Sequence, residues 1–384
     1  MTATTGCRSA AIIRKPGDKY AEEFRFWQGC PTILLTPGGT LYAGCYTGGT
    51  REPSPHNCNL LIRSRDGGKT WSRVVLAVAS VPELQIRDID IQLWLDPQKR
   101  AWVFWTQRDD RFLDKDPRHL SIWVMISADP DAEEPEWSEP RCITSGFLRC
   151  QPTVLADGRI LLFSYDWIDD RYTYSESRDQ GATWERRRGG RRVPTPFDEA
   201  MAVERRDGSI WMLARSDGGA LAESISRDGG KTWSDGKLTG LRAPSSRFFL
   251  GRLRSGRLLL VKNDSLPPRR NHLTAYLSDN DGATWPWRMP IDVYDVSYPD
   301  AVESENGDIF LIYDYGRCVQ KEILLARFTE NDIMAGTLVD QDSFLRRLVS
   351  KAPEQPGNQA MYDRLKREDE IWMKDYLKRN DIKS

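Results

Sequence analysis

Four stretches of the chain repeat one eight-residue pattern, and no other feature limits the possible fold as sharply. They are Ser64-Arg-Asp-Gly-Gly-Lys-Thr-Trp71, Ser177-Arg-Asp-Gln-Gly-Ala-Thr-Trp184, Ser226-Arg-Asp-Gly-Gly-Lys-Thr-Trp233 and Ser278-Asp-Asn-Asp-Gly-Ala-Thr-Trp285. Each reads Ser-x-(Asp/Asn)-x-Gly-x-Thr-Trp and follows a strand-like run. The short polar side chain can bond backbone N–H groups of a tight turn. The Gly takes a positive φ, and the Trp folds back as a large apolar plug. Repeated turns of this kind predict a fold assembled from copies of one strand–turn–strand unit.

A second repeat runs in step with the first. Six segments share the order apolar strand, tight turn, apolar strand: Pro31–Cys45, Ile89–Gln107, Gln151–Trp167, Met201–Ser216, Phe248–Asn263 and Tyr298–Tyr315. Five of the turns carry Gly, and Asp96-Pro-Gln-Lys makes the other. The turns lie roughly 50 to 60 residues apart, the spacing of a four-stranded blade. The expected fold is all-β, a six-bladed propeller of four-stranded antiparallel blades over residues 1–350 with a C-terminal helical tail over 351–384. Fourteen Trp and thirteen Tyr suit such a core. Lys321–Phe328 reads as the third strand of the last blade, and Ala10–Lys15 as the outer strand that closes the ring. In the tail, Met361, Leu365, Trp372 and Tyr376 fall at helical spacing within Asn358–Arg379. This amphipathic helix packs either on its own propeller or on a second copy of the chain, as a homo-oligomer.

A formal net charge of −1 gives no electrostatic case for nucleic acid or membrane partners. The basic run Arg186–Arg192 follows a repeat and reads as a solvated strand face. No apolar run is long enough for a membrane span, and Met1–Gly17 has no apolar core of signal-peptide length. The expected location is cytoplasmic, or secreted where a leader has been removed. Seven Cys without a Cys-x-x-Cys pair indicate neither a disulfide framework nor a metal site. Cys30, Cys45 and Cys58 read as buried small apolar residues. No cofactor is indicated.

Strand parity places the Gly hairpins and the eight-residue turns on one side of the ring. The opposite mouth collects the inner-strand starts and second-strand ends, where convergent sites form. That mouth is rich in Arg, carboxylates and aromatics, which suits an oligosaccharide or glycoconjugate. Strand starts there include Asp90, Arg149-Cys150-Gln151 and Ser245-Ser246-Arg247. Asp90, Gln151 and Arg247 are assigned to substrate binding.

The eight-residue pattern resembles the Asp-box of sialidase-like propellers (BNR repeats), and the resemblance covers roughly Ala10 to Phe328. It implies a divergent exo-glycosidase that removes a terminal acidic or modified sugar. In that family a Glu opening the fourth inner strand polarises a tyrosine nucleophile. Glu199 of Asp198-Glu-Ala-Met and Tyr298 of Val296-Ser-Tyr-Pro-Asp match these positions. Arg215 and Arg270 match two members of an arginine triad that grips the substrate carboxylate. The third falls on Gly29, with Arg25 and Arg51 nearby. The family's acid/base Asp is absent from Gly48–Asn59, where Glu52 is the only carboxylate and is expected to act instead. With one clamp arginine missing, an ordinary sialoside is expected to be a weak substrate unless Arg25 or Arg51 fills the gap.

Three His residues bear on the alternatives. His272 follows Arg270 closely and is assigned to substrate binding. His56 or His272 with Tyr298 would serve a uronate-cleaving lyase. His119 reads as solvated. A non-catalytic glycan-binding propeller also remains open.

Overall fold

Six antiparallel sheets form the fold, each made of strands consecutive in the chain. The computed structural model describes residues 8–112, 119–354 and 356–379. The first seven residues of the Met1–Gly17 stretch lie outside them. The innermost strands are Gln28–Leu35, Ile86–Leu95, Thr153–Val154, Met201–Glu204, Phe249–Arg252 and Val296–Glu303. Each turns back through its expected hairpin, and the third and fourth strands follow outward. The six-bladed propeller read from the sequence is the fold.

Ring closure differs from expectation. Ala11–Ile13 pairs with Leu76–Ala79 as a fifth strand outside blade one. Blade six completes itself with Phe344–Lys351, which pairs with Glu322–Phe328. A short helix, α1 (Glu330–Ala335), makes this possible by reversing the chain. Thr329 caps it, accepting from Asp332 N while the Asp332 carboxylate accepts from Thr329 N at 2.7 Å. Blade six meets blade one through side chains. Gln28 Nε2 donates to Lys321 O (2.6 Å) and Ser350 O (3.0 Å), and Arg25 Nη1 donates to Ser350 Oγ (2.8 Å).

All four eight-residue repeats join third and fourth strands. In the first, Ser64 Oγ accepts from Gly68 N (2.9 Å) and Asp66 Oδ1 from Thr70 N (2.9 Å). The same two bonds recur at Ser177/Asp179, Ser226/Asp228 and Ser278/Asn280. Each repeat also locks onto the preceding blade. Gly181, at φ +83, lies so close to buried Trp102 of blade two that a Cβ would come within 2.3 Å of the indole. Gly181→Ala should therefore cost about 2–4 kcal/mol through overpacking and left-handed strain, seen as a lowered melting temperature. The Trp plugs 71, 184 and 233 pack in the apolar clusters rather than lining the mouth. Cys45 and Cys58 lie in one of these clusters, and Arg186–Arg188 is a strand face paired with Asp166, Glu185 and Asp169.

A buried carboxylate ties the blades together at the axis. Asp300 accepts from Thr32 Oγ1 (2.6 Å), Gln92 Nε2 (3.1 Å) and Gln151 Nε2 (3.1 Å), and Arg247 Nη2 lies 3.1 Å away. A buried charge persists only when satisfied like this.

The tail forms helix α2 (Gln359–Arg379), about 30 Å long, laid across the mouth of its own propeller. Leu365 and Met373 are buried, and the Tyr362 ring meets Phe26 edge-on at 5.3 Å. Asp369, 1% exposed, clasps the blade-one loop by accepting from Thr50 N (3.0 Å), Thr50 Oγ1 (2.7 Å) and Ser54 Oγ (2.6 Å). Among the described residues no helix is long and apolar enough to cross a membrane.

Candidate active site

The backbone bends in the same way at the tops of four inner strands. Cys30, Asp90, Glu199 and Tyr298 all take positive φ, between 39° and 54°, in blades one, two, four and six. Strand register breaks at three of these points, between Gly29 and Thr32, Ile89 and Ile91, and Ser297 and Asp300. Such bulges re-aim a side chain, and left-handed backbone at a non-glycine residue costs about 1–3 kcal/mol that the surrounding packing must offset.

At this level Tyr298 Oη donates to Glu199 Oε1 at 2.9 Å, and Arg215 Nη1 donates to Glu199 Oε2 (3.0 Å) and Tyr298 Oη (3.2 Å). Tyr298 and Glu199 are 3% and 2% exposed. Burial pushes the Tyr298 phenol up to about 12, and the Glu199 charge adds to the rise. Burial also pushes the Glu199 carboxyl up, but Arg215 and Arg149 outweigh it and hold the group below the ordinary glutamate value.

Four guanidiniums surround the tyrosine ring. Cζ of Arg317, Arg149 and Arg270 lie 4.2, 5.1 and 5.3 Å from its centroid, and Arg215 touches the hydroxyl. Arg317 stands where the resemblance placed an arginine at position 29. A Cβ on Gly29 would fall 2.7 Å from Arg317 Nε, so the glycine makes room for an arginine arriving from blade six. Arg317 pairs with Asp314 (2.6 Å) and Glu52 (3.2 Å), and Arg149 with Asp90 (2.5 Å) and Glu52 (3.2 Å). Arg270 donates to Ser245 O at 3.3 Å and, among the described residues, has no carboxylate partner. Among the described residues one guanidinium of the ring is therefore left for an anion.

Glu52, Asp90 and Cys30 present ligand atoms within 4.8 Å of one another. Both carboxylates already face Arg149, so the set fits a cation poorly. Burial pushes the Asp90 carboxyl up to about 7, Arg149 opposing and neighbouring Glu52 adding to the rise. The pocket, about 510 Å³, is walled by Phe147, Trp167 and Phe197 on one side and by Tyr376 of α2 above. Tyr376 stacks on Trp372, whose ring lies 5.1 Å from the Arg87 guanidinium.

Tyr298, Arg215, Arg270 and Glu52 line this pocket, with Glu199 buried behind Tyr298 and Asp90 behind Arg149. Other assignments are corrected. Arg51 is exposed and lines no part of the pocket, while Arg25 turns away to Tyr20 O and Ser350. Gln151 and Arg247 point to the axis but bond Asp300 beneath the floor, because two residues along a strand descend about 6.6 Å. His272 sits outside, its ring nearest Tyr294, and His56 pairs with Glu368 of α2 at 3.0 Å. A lyase built on either histidine with Tyr298 loses its geometry. His119 stacks on Phe112. Arg149, Arg317, the aromatic wall and Tyr376 were not assigned from sequence. Arg149 carried a signal as a strand start beside Gln151, whereas Arg317 lies beyond a strand end and carried none.

Comparison with known proteins agrees with the fold. The family described as BNR repeat-like domain matches residues 92–311, more than half of the chain, and the BNR/Asp-box repeat matches residues 62–73. A sialidase of Bacteroides fragilis is 27% identical over 320 residues, covering 72% of this chain. The chain spans 57% of that relative's length. A Dyadobacter fermentans protein of unknown function superposes with a TM-score of 0.62 at 19% identity, covering 81% of this chain and 95% of its own. The intramolecular trans-sialidase of Ruminococcus gnavus gives 0.62 at 16% identity, over 85% and 98%. The NanB sialidase of Streptococcus pneumoniae gives 0.60 at 16% identity, over 80% and 67%. At these identities the superpositions show a shared fold.

Proposed function

The chain belongs to the family of BNR repeat-like domains, as a divergent member of the sialidase superfamily, and from that membership we propose an exo-acting glycoside hydrolase that removes a terminal acidic sugar. The observation that carries the reading is the Tyr298–Glu199 hydrogen bond inside a ring of four arginines. A sugar carboxylate at the anomeric carbon would sit among the guanidiniums and bring that carbon over the phenol oxygen. A neutral nucleophile approaches such a centre without the repulsion a carboxylate would meet, and tyrosine is the known exception to the two-carboxylate scheme.

Timing follows from the acidities. With the Tyr298 phenol raised and the Glu199 carboxyl held below its ordinary value, full proton transfer ahead of attack is strongly uphill. The proton therefore moves to Glu199 as the C–O bond to Tyr298 forms. We assign the leaving-group proton to Glu52, which shares its carboxylate environment with Asp90. Water, giving a proton to the Glu52 carboxylate, then displaces Tyr298 in a second step, with Glu199 returning the phenol proton and both groups restored.

Two limbs are expected in the pH profile of kcat/KM. Glu199 is depressed, so its base function is fully present above its ordinary value of 4.5 and is lost only as pH falls below that value. Asp90, beside Glu52, holds its proton below about 7 and loses it above, which gives an alkaline limb that Asp90→Asn should move. An alkaline limb unmoved by Asp90→Asn would remove that pair from the acid role.

The function is tested by turnover of a fluorogenic sialoside beside uronosides and neutral glycosides. We expect an acidic substrate to be preferred, and Arg215→Ala to lower kcat/KM by about ten- to a hundredfold, the worth of one charge-assisted contact. Equal turnover of neutral glycosides, or indifference to Arg215→Ala, would exclude the acidic-sugar reading.

A further inference from the structure

Helix α2 carries two rings on one face, Trp372 and Tyr376, stacked with their centroids 4.9 Å apart. With blade two they build a continuous wall. The Arg87 guanidinium lies 5.1 Å from the Trp372 ring and 5.9 Å from the Tyr376 ring. The Arg108 guanidinium lies 5.8 Å from Tyr376 and 5.9 Å from Trp167. Rings and cations thus alternate from α2 across to blade three. Asp110 holds both arginines, Arg87 at 2.9 Å and Arg108 at 3.4 Å. Arg87, Arg108, Trp167 and Tyr376 all line the pocket. Tyr362, Leu365, Asp369 and Met373 seat the helix at earlier turns, so Tyr376 is held over the pocket by anchors that lie elsewhere. The helix also lies outside residues 62–73 and 92–311, the part of the chain that the family shares.

We propose that Tyr376 is a specificity-determining residue, which closes the pocket over the far side of the reacting sugar and admits only a sugar unsubstituted there. The assignment rests on the acidic-sugar reading above. Arg270, on blade five, is the guanidinium left for an anion, with Arg215 and Arg317 on the flanking blades four and six. A carboxylate drawn to that side, with the anomeric carbon over Tyr298, makes the sugar ring extend the opposite way. In a six-bladed ring blade two faces blade five. The far side of the sugar therefore runs under Tyr376, against Arg87 and Arg108. A second sugar attached at that end would have to displace the phenol ring. Selection of a terminal over an internal acidic sugar thus comes from the tail rather than from the propeller.

The test is calorimetric titration of the full chain with two probes. One is the unsaturated sialic acid analogue, and the other is the same analogue bearing a benzoyl group at the ring atom opposite the anomeric carbon. The wild type should bind the plain analogue at least about tenfold more tightly than the benzoyl one. Tyr376→Ala should reduce that ratio to about two or less, while Tyr376→Phe, which keeps the ring, should leave it as in the wild type. Tyr376 is half-buried and none of the α2 anchors is touched, so the fold should hold. A ratio near one on the wild type, a ratio unchanged by Tyr376→Ala, or a parallel loss of both ligands overturns the proposal. Absence of binding of the plain analogue to the wild type overturns the acidic-sugar reading along with it. Failure of the hydrolase reading alone shows separately, as the expected ratios with no cleavage of any fluorogenic glycoside.

Discussion

Tyr298→Phe should lower kcat at least about a thousandfold while the protein still binds an unsaturated acidic-sugar analogue. The change removes one oxygen, and with it both the attacking atom and the proton that Glu199 takes up. Packing is kept, since the ring stays between the Arg317 and Arg149 guanidiniums. Glu199 loses one donor but its charge stays compensated, since its second oxygen keeps Arg215 and Arg149 Nε lies 3.7 Å from the first. Stability should therefore be near wild type while turnover vanishes, and calorimetric titration with the analogue separates the two. Residual activity above about one per cent would assign the nucleophile elsewhere.

Arg317→Ala should be the most damaging arginine substitution. It takes away a guanidinium 4.2 Å from the Tyr298 ring, leaves buried Asp314 without its ion-pair partner and takes one of two guanidiniums from Glu52, which keeps Arg149. Truncating one side of a buried pair commonly costs about 3–5 kcal/mol. We expect kcat/KM on the acidic glycoside to fall by about a hundredfold or more, together with a lower melting temperature. The companion experiment is a transfer. Gly29→Arg alone should destabilise the protein, because the new side chain meets Arg317 at its Cβ. Combined with Arg317→Gly, it should recover part of the lost activity, since the glycine and the arginine have then exchanged places around one cavity. Failure of the pair to exceed Arg317→Gly alone would show that the guanidinium at 317 acts through Asp314 rather than on the substrate.

These two residues mark the boundary of what sequence could tell. The eight-residue repeats and the paired strands are local patterns, each decided by neighbours a few positions away, so architecture was legible from one end of the ring to the other. Tyr298 and Glu199 were legible through resemblance, because both stand at strand starts whose order along the chain maps onto the ring. Arg317 was not. It fills the space at Gly29 from the far end of the chain, and proximity in sequence pointed to Arg25 and Arg51 instead. Gln151 and Arg247 show another limit: alternation along a strand gives the face of a side chain but not its depth along the axis. The left-handed bends at Cys30, Asp90, Glu199 and Tyr298 are a third, since none of these residues is a glycine that would announce them. The closing strand was misplaced because Phe344–Lys351 lies beyond α1, outside the phase of the other blades.

That closing strand has a mechanical meaning. Where the first and last segments of a ring share one sheet, opening it means shearing a row of backbone hydrogen bonds at once. Here blades one and six are each complete, and the seam is carried by side chains: Arg25 and Gln28 against Lys321 and Ser350, Thr32 against Asp300 and Glu52 against Arg317, with apolar groups around them. Under tension such a junction yields contact by contact, like a zip, and each blade on either side keeps its own sheet intact. The ring is thus a bracelet of six finished beads rather than a hoop welded at one point, and parting blades one and six breaks side-chain contacts but no sheet.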